Sequence, residues 1–197
     1  MEPGRNLIFN KEENVEPTYK KDAASKTNII GITTENPEET AALGVLLGSL
    51  LKADDILCLD GDLGAGKTAF TAGIAKGLGI PGIIASPTFT ILIEHTKQDP
   101  RTGMKLPLYH FDAYRLSSEY DFYDLGFDEY FSFGGVCVIE WAGLIRPAIP
   151  PEAIWITLRQ GPGELSCQRI VTFAFPESDP RASVFYQQTI REEWRRS

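Results

Sequence analysis

Apolar positions recur along the chain with two periods, and each period predicts a type of element. Alternation over a short run predicts a strand, whereas spacings of three and four predict the buried face of a helix. The first predicted strand runs from Ile29 to Thr33. Residues 36–39 (NPEE) follow it with an N-cap residue, a proline and a glutamate in the order typical of a helix start. Leucines from Leu43 to Leu51 then lie at helical spacing and predict the buried face of that helix.

The remaining pattern predicts further strands and helices in alternation. Helices are expected over residues 68–78, in short pieces around Gly126, and from Asp179 onward, where an inward stripe would comprise Tyr186, Ile190 and Trp194. Strands are expected over residues 56–60, 89–95, 108–112, 136–139, 154–159 and 169–175. Strands separated by helices predict an α/β fold with three layers and a mainly parallel central sheet. A hairpin over residues 89–112 adds an antiparallel element.

The segment between the predicted strand 56–60 and the next helix is the octet GDLGAGKT, residues 61–68. It fits the pattern G-x-x-x-x-G-K-[ST] of a P-loop, in the order strand, glycine loop, helix that the motif requires. Glycines permit successive N–H groups to turn inward around a phosphate, and the N-terminus of the helix attracts the same anion. The alternative is a glycine-rich turn without a ligand.

The P-loop interpretation assigns most of the octet to the nucleotide. Lys67 would reach the β- and γ-phosphates of ATP, and the hydroxyl of Thr68 would bind Mg²⁺. The residues expected to bind the nucleotide are Asp62, Leu63, Gly64, Ala65, Gly66, Lys67 and Thr68. We therefore expect residues 29–197 to form a single P-loop ATPase domain. Residues 1–28 are polar, mixed in charge and without periodicity, which predicts a flexible N-terminal tail.

Two carboxylates at predicted strand ends join Lys67 as candidates for catalysis. Glu140 directly follows the apolar run VCVI and would be a second magnesium ligand; the alternative is a surface acid that ends a strand. Asp112 follows LYHF and would orient water or bind the metal through water. Thr88, within SPTF, lies in a loop of the kind that senses the γ-phosphate, although Ser-Pro-Thr also forms a plain turn.

Three residues close to these carboxylates have a plainer interpretation. His110 is expected to be a hydrogen-bonded structural histidine. Because it precedes Asp112 by two strand positions and shares its face, a contact between the two is the alternative. Trp141 and Arg115 are interpreted as packing and ion-pair residues.

The segment 117–133 is unusual because it mixes five acids with seven aromatic residues. Most of its rings are expected in the core and most of its acids on a solvated face. The sharper interpretation is an acidic, aromatic contact surface for a partner.

The charge, the cysteines and the hydropathy limit the classes of partner. A formal net charge of −8 argues against a protein that grips a nucleic-acid backbone itself, since that requires clustered Lys and Arg. If the function involves a nucleic acid, we expect a partner protein to hold it. The three cysteines have no metal-binding spacing and are expected to be buried thiols in a reducing cytoplasm.

No apolar stretch has the length of a transmembrane helix, and the first residues lack a secretory pattern, so we expect a cytoplasmic protein without membrane contact.

The nucleotide motifs favour ATP over GTP. No Asp has a Gly three positions later, as a GTPase pattern requires, and residues 96–99 (TKQD) match a guanine-recognition pattern only within a polar turn. The alternative function is a P-loop kinase of a small metabolite, which would close an arginine-rich lid over the phosphates. Between residues 69 and 145 the arginines are Arg101 and Arg115 alone, which counts against a kinase. A nucleotide-gated binding module without turnover is a third hypothesis.

Four motifs in order carry a family resemblance: GDLGAGKT, SPTF at residues 86–89, H-x-D-x-Y-R from His110 to Arg115, and IEW at residues 139–141. Together they resemble the TsaE family (earlier YjeE) over about residues 29–160. The resemblance implies a small Mg²⁺-dependent ATPase, weak by itself, that works with the TsaB and TsaD proteins to form threonylcarbamoyladenosine on tRNA. TsaD would carry the transfer chemistry, and ATP hydrolysis would reset the complex.

The resemblance also implies residue roles by position. Lys67 and Thr68 bind phosphate and magnesium, and Glu140 is the second magnesium contact. Asp112 is needed for hydrolysis, and Thr88 belongs to a switch-like loop.

Three further positions bear on the resemblance. Trp141 accompanies Glu140 in the family motif, and the start of the first helix, residues 36–40, is implied to lie near the nucleotide. Ala69 departs from the pattern, because family members often carry a hydroxyl there. One hydrogen bond to the α-phosphate is therefore expected to be missing.

Overall fold

A single sheet of eight strands runs through the computed structural model, which describes residues 16–95, 106–162, 166–191 and 193–196. The strands are β1 (Thr18–Asp22), β2 (Thr27–Thr34), β3 (Ile56–Asp60), β4 (Leu92–His95), β5 (Leu108–Asp112), β6 (Val136–Glu140), β7 (Ile154–Gln160) and β8 (Arg169–Pro176). The α-helices are α1 (Pro37–Gly48), α2 (Lys67–Gly77), α3 (Glu119–Asp124) and α4 (Arg181–Thr189). Short 3₁₀ helices cover Ala113–Arg115, Phe127–Ser132, Ala142–Ala148 and Glu193–Arg196.

The strand order is β1-β2-β8-β7-β3-β6-β5-β4, with β3 near the middle. Strands β7, β3, β6 and β5 pair in parallel, and the outer pairings on both sides are antiparallel. The predicted α/β fold with a parallel centre is confirmed, but its antiparallel part extends well beyond the expected hairpin. Since parallel strands end at the same edge, β3, β5 and β6 bring their carboxyl ends together.

Two apolar clusters cover the two faces of the sheet and make three layers. Along β3, Leu57 and Leu59 join the cluster under α1, α2 and α4, whereas Ile56 and Cys58 join the cluster under α3 and the 3₁₀ helices. This alternation follows from the period of two along a strand, and it explains why β3 is an unbroken apolar run.

The structure corrects the predicted tail for residues 16–28. Strand β1 pairs antiparallel with β2 in a hairpin, and β2 begins at Thr27. The hydroxyl of Tyr19 donates to Asn28 Oδ1 at 3.0 Å, and the Tyr19 ring lies 5.3 Å from that of Tyr186. Polar residues on both faces hid this edge strand from the periodicity argument. The rest of the predicted tail, residues 1–15, lies outside the described residues.

Helix α1 ends at Gly48, so Leu50 and Leu51 of its predicted buried face lie beyond the helix, where they are half-buried against the same cluster.

Two other element predictions also need correction. The strand expected at residues 89–95 begins only at Leu92, because the N–H groups of Thr90 and Ile91 both donate to the carbonyl of Pro87 and close a turn. Helix α4 ends at Thr189, so the predicted stripe is wrong at Ile190, which is 43% exposed. The turn predicted at residues 96–105, which includes the TKQD segment, lies outside the described residues.

The acidic, aromatic segment 117–133 forms the expected short helices around Gly126, whose φ of 68° belongs to the left-handed region. Phe122 is fully buried, and Phe127 and Phe131 pack against the same cluster, as expected for core rings. Tyr120 is 69% exposed. The contact surface therefore stays a hypothesis.

The cysteines differ in burial. Cys58 and Cys137 are buried as expected, whereas Cys167 is exposed just before β8, so the expectation of three buried thiols is wrong there.

Helices α1 and α2 pack at very short range through glycines. A Cβ placed on Gly73 would lie 2.0 Å from the carbonyl oxygen of Ala41, and one on Gly44 would lie 2.4 Å from that of Phe70. Only hydrogen at these positions allows the two helix backbones to touch. The contact fixes α1 beside the helix that follows the P-loop, which brings the start of α1 to the loop.

Candidate active site

The P-loop leaves β3 at Asp60 and enters α2 at Lys67 through two unusual backbone conformations. Gly61 has φ 145°, and a Cβ there would lie 2.2 Å from the carbonyl oxygen of Leu158. Gly66, the N-cap of α2, has φ 101°. Both positions therefore require glycine, and the sequence motif has a steric cause in this fold.

The loop forms one wall of a cleft of about 330 Å³ at the carboxyl edge of the sheet. Its lining brings the predicted nucleotide residues and the predicted catalytic residues together, save that Asp62 is not part of the lining. The lining residues are Leu63, Gly64, Ala65, Gly66, Lys67, Thr68, Ala69, Ser86, Thr88, Asp112, Glu140 and Trp141.

Lys67 is buried under the loop, with only 5% of its surface exposed. Its Nζ donates to the carbonyl oxygens of Gly61 at 2.6 Å and Asp62 at 3.0 Å, and it lies 3.8 Å from the ring centroid of Trp141. Burial lowers the pKa of Lys67 from its ordinary value, while the carboxylate of Glu140 opposes that shift. The ammonium group is thus desolvated and held at the cleft wall, where an anion would find a strong partner.

Glu140 ends β6 and is 3% exposed, so the alternative of a surface acid is ruled out. The Thr68 hydroxyl donates to its Oε1 at 3.1 Å and lies 3.3 Å from its Oε2. Nε2 of His110 lies 2.9 Å from the same Oε1. The carboxylate is thereby fixed between the first turn of α2 and the neighbouring strand β5.

His110 is a hydrogen-bonded buried histidine, as expected, and its partner is Glu140 rather than the proposed alternative Asp112. Its other ring nitrogen, Nδ1, is buried and has no hydrogen-bond partner among the described residues. The bond to Glu140 could not be foreseen, because it joins two strands whose pairing the sequence does not state.

Thr68 and Glu140 fit a magnesium site of the P-loop kind. Among the described residues, no group of three or more His, Cys, Asp and Glu side chains is arranged to hold a metal alone. Mg²⁺ in nucleotide sites uses one or two protein oxygens and completes its shell with phosphate and water. One hydroxyl and one carboxylate beside a phosphate-binding loop are the donor set that this chemistry needs.

Asp112 lies opposite Glu140 in the β5–β6 register, at the same sheet edge. Its Oδ2 accepts from the hydroxyls of Thr88 at 2.7 Å and Ser86 at 3.1 Å, and its Oδ1 accepts from the N–H of Tyr114 at 2.9 Å. The SPTF segment is therefore tied to this carboxylate. Ser86 belongs to the SPTF motif but is not one of the predicted site residues.

Trp141 packs against the core cluster as expected and also covers Lys67, whereas Arg115 contacts an aromatic ring. Trp141 adopts φ 60°, and its backbone N–H donates to the carbonyl oxygen of Leu59. In this backbone conformation its ring lies over Lys67. The guanidinium of Arg115 lies 5.0 Å from the ring of Phe89, which is 85% exposed. Arg115 thus contacts the SPTF segment through an aromatic ring.

The start of α1 lies beside the loop, where the resemblance implied it. Asn36 caps the helix by accepting from the N–H of Glu39 at 2.8 Å. Thr40 is buried, and its methyl carbon would lie 3.8 Å from a Cβ on Gly66.

Arg169 is a contact of the loop that the sequence did not reveal. Its Nε donates to the carbonyl oxygen of Ala65 at 3.0 Å, and its Nη2 donates to that of Gly64 at 3.2 Å. Arg169 opens β8, far along the chain from the P-loop, and belongs to no motif. Only the antiparallel pairing of β8 with β7 brings it to the loop.

A parallel-centred α/β sheet with a glycine loop between its central strand and a helix defines a P-loop-type protein. Within the residues described, no helix has both the length and the apolar character needed to cross a bilayer.

Comparison with known proteins identifies the family. The model of the family described as "Threonylcarbamoyl adenosine biosynthesis protein TsaE" matches residues 34–169. A Bacillus subtilis protein named tRNA threonylcarbamoyladenosine biosynthesis protein TsaE is 48% identical over 140 residues, which cover 71% of this chain and 82% of that protein. The Treponema pallidum protein of the same name is 41% identical over 126 residues, covering 64% and 88%. The chain belongs to the TsaE family, and the resemblance drawn from its motifs is confirmed.

A solved structure supports the same assignment. The crystal structure of Bacillus subtilis YdiB is similar with a TM-score of 0.66 and 38% identity, covering 85% of this chain and 97% of that one.

Proposed function

We propose that the protein is a Mg²⁺-dependent ATPase that serves tRNA threonylcarbamoyladenosine biosynthesis as an accessory subunit. The observation that carries the proposal is the convergence of Lys67, Thr68, Asp112 and Glu140 on one cleft behind a P-loop. The names of the family and of the curated relatives supply the pathway.

One side of the cleft would bind the phosphates and magnesium, and the other side would orient the attacking water. On the loop side, backbone N–H groups and the Lys67 ammonium bind the phosphates of ATP. Thr68 and Glu140 would hold Mg²⁺, and the bound ion would supply positive charge beside the phosphates. On the other side, Asp112 orients water for attack on the γ-phosphate. Thr88 binds Asp112 at 2.7 Å and couples that carboxylate to the SPTF segment.

The coupling to partners is part of the same proposal. We infer that ATP hydrolysis supports turnover by a TsaD–TsaB complex, and that tRNA is met only through that complex. The net charge of −8 supports this division, because a protein that held tRNA itself would need a basic face. We also propose a cytoplasmic location, which is consistent with the buried free thiols of Cys58 and Cys137.

Phosphate release in the presence and absence of a TsaD–TsaB pair tests the proposal. We expect slow, magnesium-dependent release by the protein alone and faster release with the pair. The variant Asp112→Asn should keep ATP binding and lose most release, and Lys67→Ala should lose binding itself, because it removes the buried ammonium.

The other outcomes are distinct. ADP formed without free phosphate when a metabolite is present would show the alternative, a small-metabolite kinase. ATP binding without release under either condition would show a binding module. Either result would overturn the ATPase proposal.

A further inference from the structure

The guanidinium of Arg169 lies among four backbone carbonyl groups. Two belong to the P-loop: Ala65 O accepts from Nε at 3.0 Å and Gly64 O from Nη2 at 3.2 Å. The other two belong to the chain before β8: Nη1 donates to Gln168 O at 2.8 Å and to Ser166 O at 3.1 Å. The side chain thus joins the edge of β8 to the loop.

The carbonyl groups on the β8 side are themselves held in place. Gln168 O also accepts from the N–H of Gly161, which closes the β7–β8 connection at 2.9 Å. Ser166 O accepts from the side-chain amide of Gln160 at 3.3 Å. The hydrogen bonds of Arg169 therefore connect the P-loop to backbone that is itself bonded to the sheet.

The two loop carbonyls decide where two N–H groups point. In a trans peptide the C=O and the next N–H face opposite ways, so holding Ala65 O against Arg169 directs the N–H of Gly66 away from Arg169. Holding Gly64 O fixes the peptide that carries the N–H of Ala65, which closes the tip of the loop by donating to Asp62 O at 3.1 Å. Among the described residues Gly66 lines the cleft, whereas Arg169 does not belong to the lining.

We propose that Arg169 is a positioning residue for phosphate binding: it fixes the Gly64 and Ala65 peptides so that the loop is formed before the nucleotide arrives. A loop of this kind has glycines at positions 61, 64 and 66 and has many conformations to lose. Ordering it in advance lowers the entropic cost of binding. Arginine suits the task because its planar fork bonds several acceptors at fixed angles. The inference deepens the proposed function and rests on it.

The competing explanation is simple charge attraction between the guanidinium and the phosphates. The substitution Arg169→Lys separates the two explanations. Lysine keeps the positive charge and most of the side-chain length, but it lacks the planar guanidinium that bonds both loop carbonyls at once. Arg169→Met removes the charge as well. Arg159→Met is the matched control, since Arg159 is an exposed arginine on the neighbouring strand, opposite Ile170.

The experiment is calorimetric titration of Mg-ATP, and of inorganic triphosphate, into the wild type and these three variants. We expect Arg169→Lys and Arg169→Met to bind both ligands roughly tenfold more weakly, the scale of losing a charge-assisted hydrogen bond. Arg159→Met should bind as the wild type does. Hydrogen–deuterium exchange without ligand should be faster in peptides covering residues 61–66 of the Arg169 variants and unchanged in β3 and β6. A merely structural role would raise exchange throughout.

The possible results distinguish the positioning role of Arg169 from charge attraction and from a failure of the proposed function. Wild-type affinity in Arg169→Lys, or in both Arg169 variants, would overturn the positioning role, as would unchanged exchange in the loop. Where Arg169→Met does not fold, Arg169→Lys alone decides between positioning and charge attraction. A wild-type protein that binds neither Mg-ATP nor triphosphate would overturn the proposed function itself, and the inference with it.

Discussion

Replacing Glu140 by glutamine removes one charge from the cleft while leaving its shape nearly unchanged. The amide keeps one oxygen acceptor and gains a donor, and the Thr68 hydroxyl and the His110 ring can each act as donor or acceptor. We therefore expect Glu140→Gln to fold normally, with a change in the free energy of unfolding below about 1 kcal/mol.

The effect on turnover follows from the distances. Glu140 lies 3.1 Å from the Thr68 hydroxyl, so a magnesium ion bound by that hydroxyl interacts with the carboxylate at short range. Two unit charges about 4 Å apart in a medium of effective dielectric about 20 interact by about 4 kcal/mol. At about 1.36 kcal/mol for each factor of ten, an energy of about 4 kcal/mol corresponds to a loss of roughly a thousandfold.

Phosphate release measured over a magnesium titration is the assay. Glu140→Gln should need more magnesium and, at the magnesium concentration that saturates the wild type, should fall short of the wild-type rate by up to that factor, while ATP binding persists through Lys67 and the loop. Glu129→Gln, which changes an exposed acid on a 3₁₀ helix, should match the wild type. Release by Glu140→Gln at the wild-type rate and the wild-type magnesium requirement would refute the magnesium role of Glu140.

Three further predictions concern packing and titration. Gly73→Ala should lower the free energy of unfolding by about 1–3 kcal/mol in urea titration, because its Cβ would lie 2.0 Å from a carbonyl oxygen of α1; unchanged stability would contradict that contact. Near neutral pH a thiol reagent should modify one cysteine per folded chain, Cys167, because burial raises the pKa of Cys137 to about 12; modification that persists in Cys167→Ser would contradict this. The hydrogen bond to Glu94 raises the pKa of Tyr130 to about 12. Since the folded state holds that proton more tightly than the unfolded state, the stabilisation is complete below about pH 10 and disappears as the pH rises through about 12. Ultraviolet titration should show that the phenolate formed at the highest pH in the wild type is missing in Tyr130→Phe.

The parts of the site that lie in continuous motifs could be predicted, and those that depend on strand pairing could not. The loop, Glu140 and Asp112 are visible in the sequence because each ends an apolar run, and runs of that kind become central strands. That Asp112 and Glu140 face each other in register required the β5–β6 pairing. The bond from His110 to Glu140 required the same knowledge.

In the fold, too, the central strands could be predicted from the sequence and the edge strand β1 could not. Buried strands such as β3 are unbroken apolar runs and were located closely, because both their faces are covered. Strand β1 was missed because it is an edge strand with polar residues on both faces, which leaves no period to detect. Arg169 was missed because its partners are backbone carbonyl groups, which have no side-chain signature.

We propose above all that the P-loop cleft binds the triphosphate and would hold its magnesium between Thr68 and Glu140. A crystal structure with magnesium and a non-hydrolysable ATP analogue tests it most directly. We predict triphosphate density enclosed by residues 61–68, with the metal bound by the Thr68 hydroxyl and adjacent to the Glu140 carboxylate. An analogue bound elsewhere, or a Glu140 side chain turned away from the metal, would contradict the account.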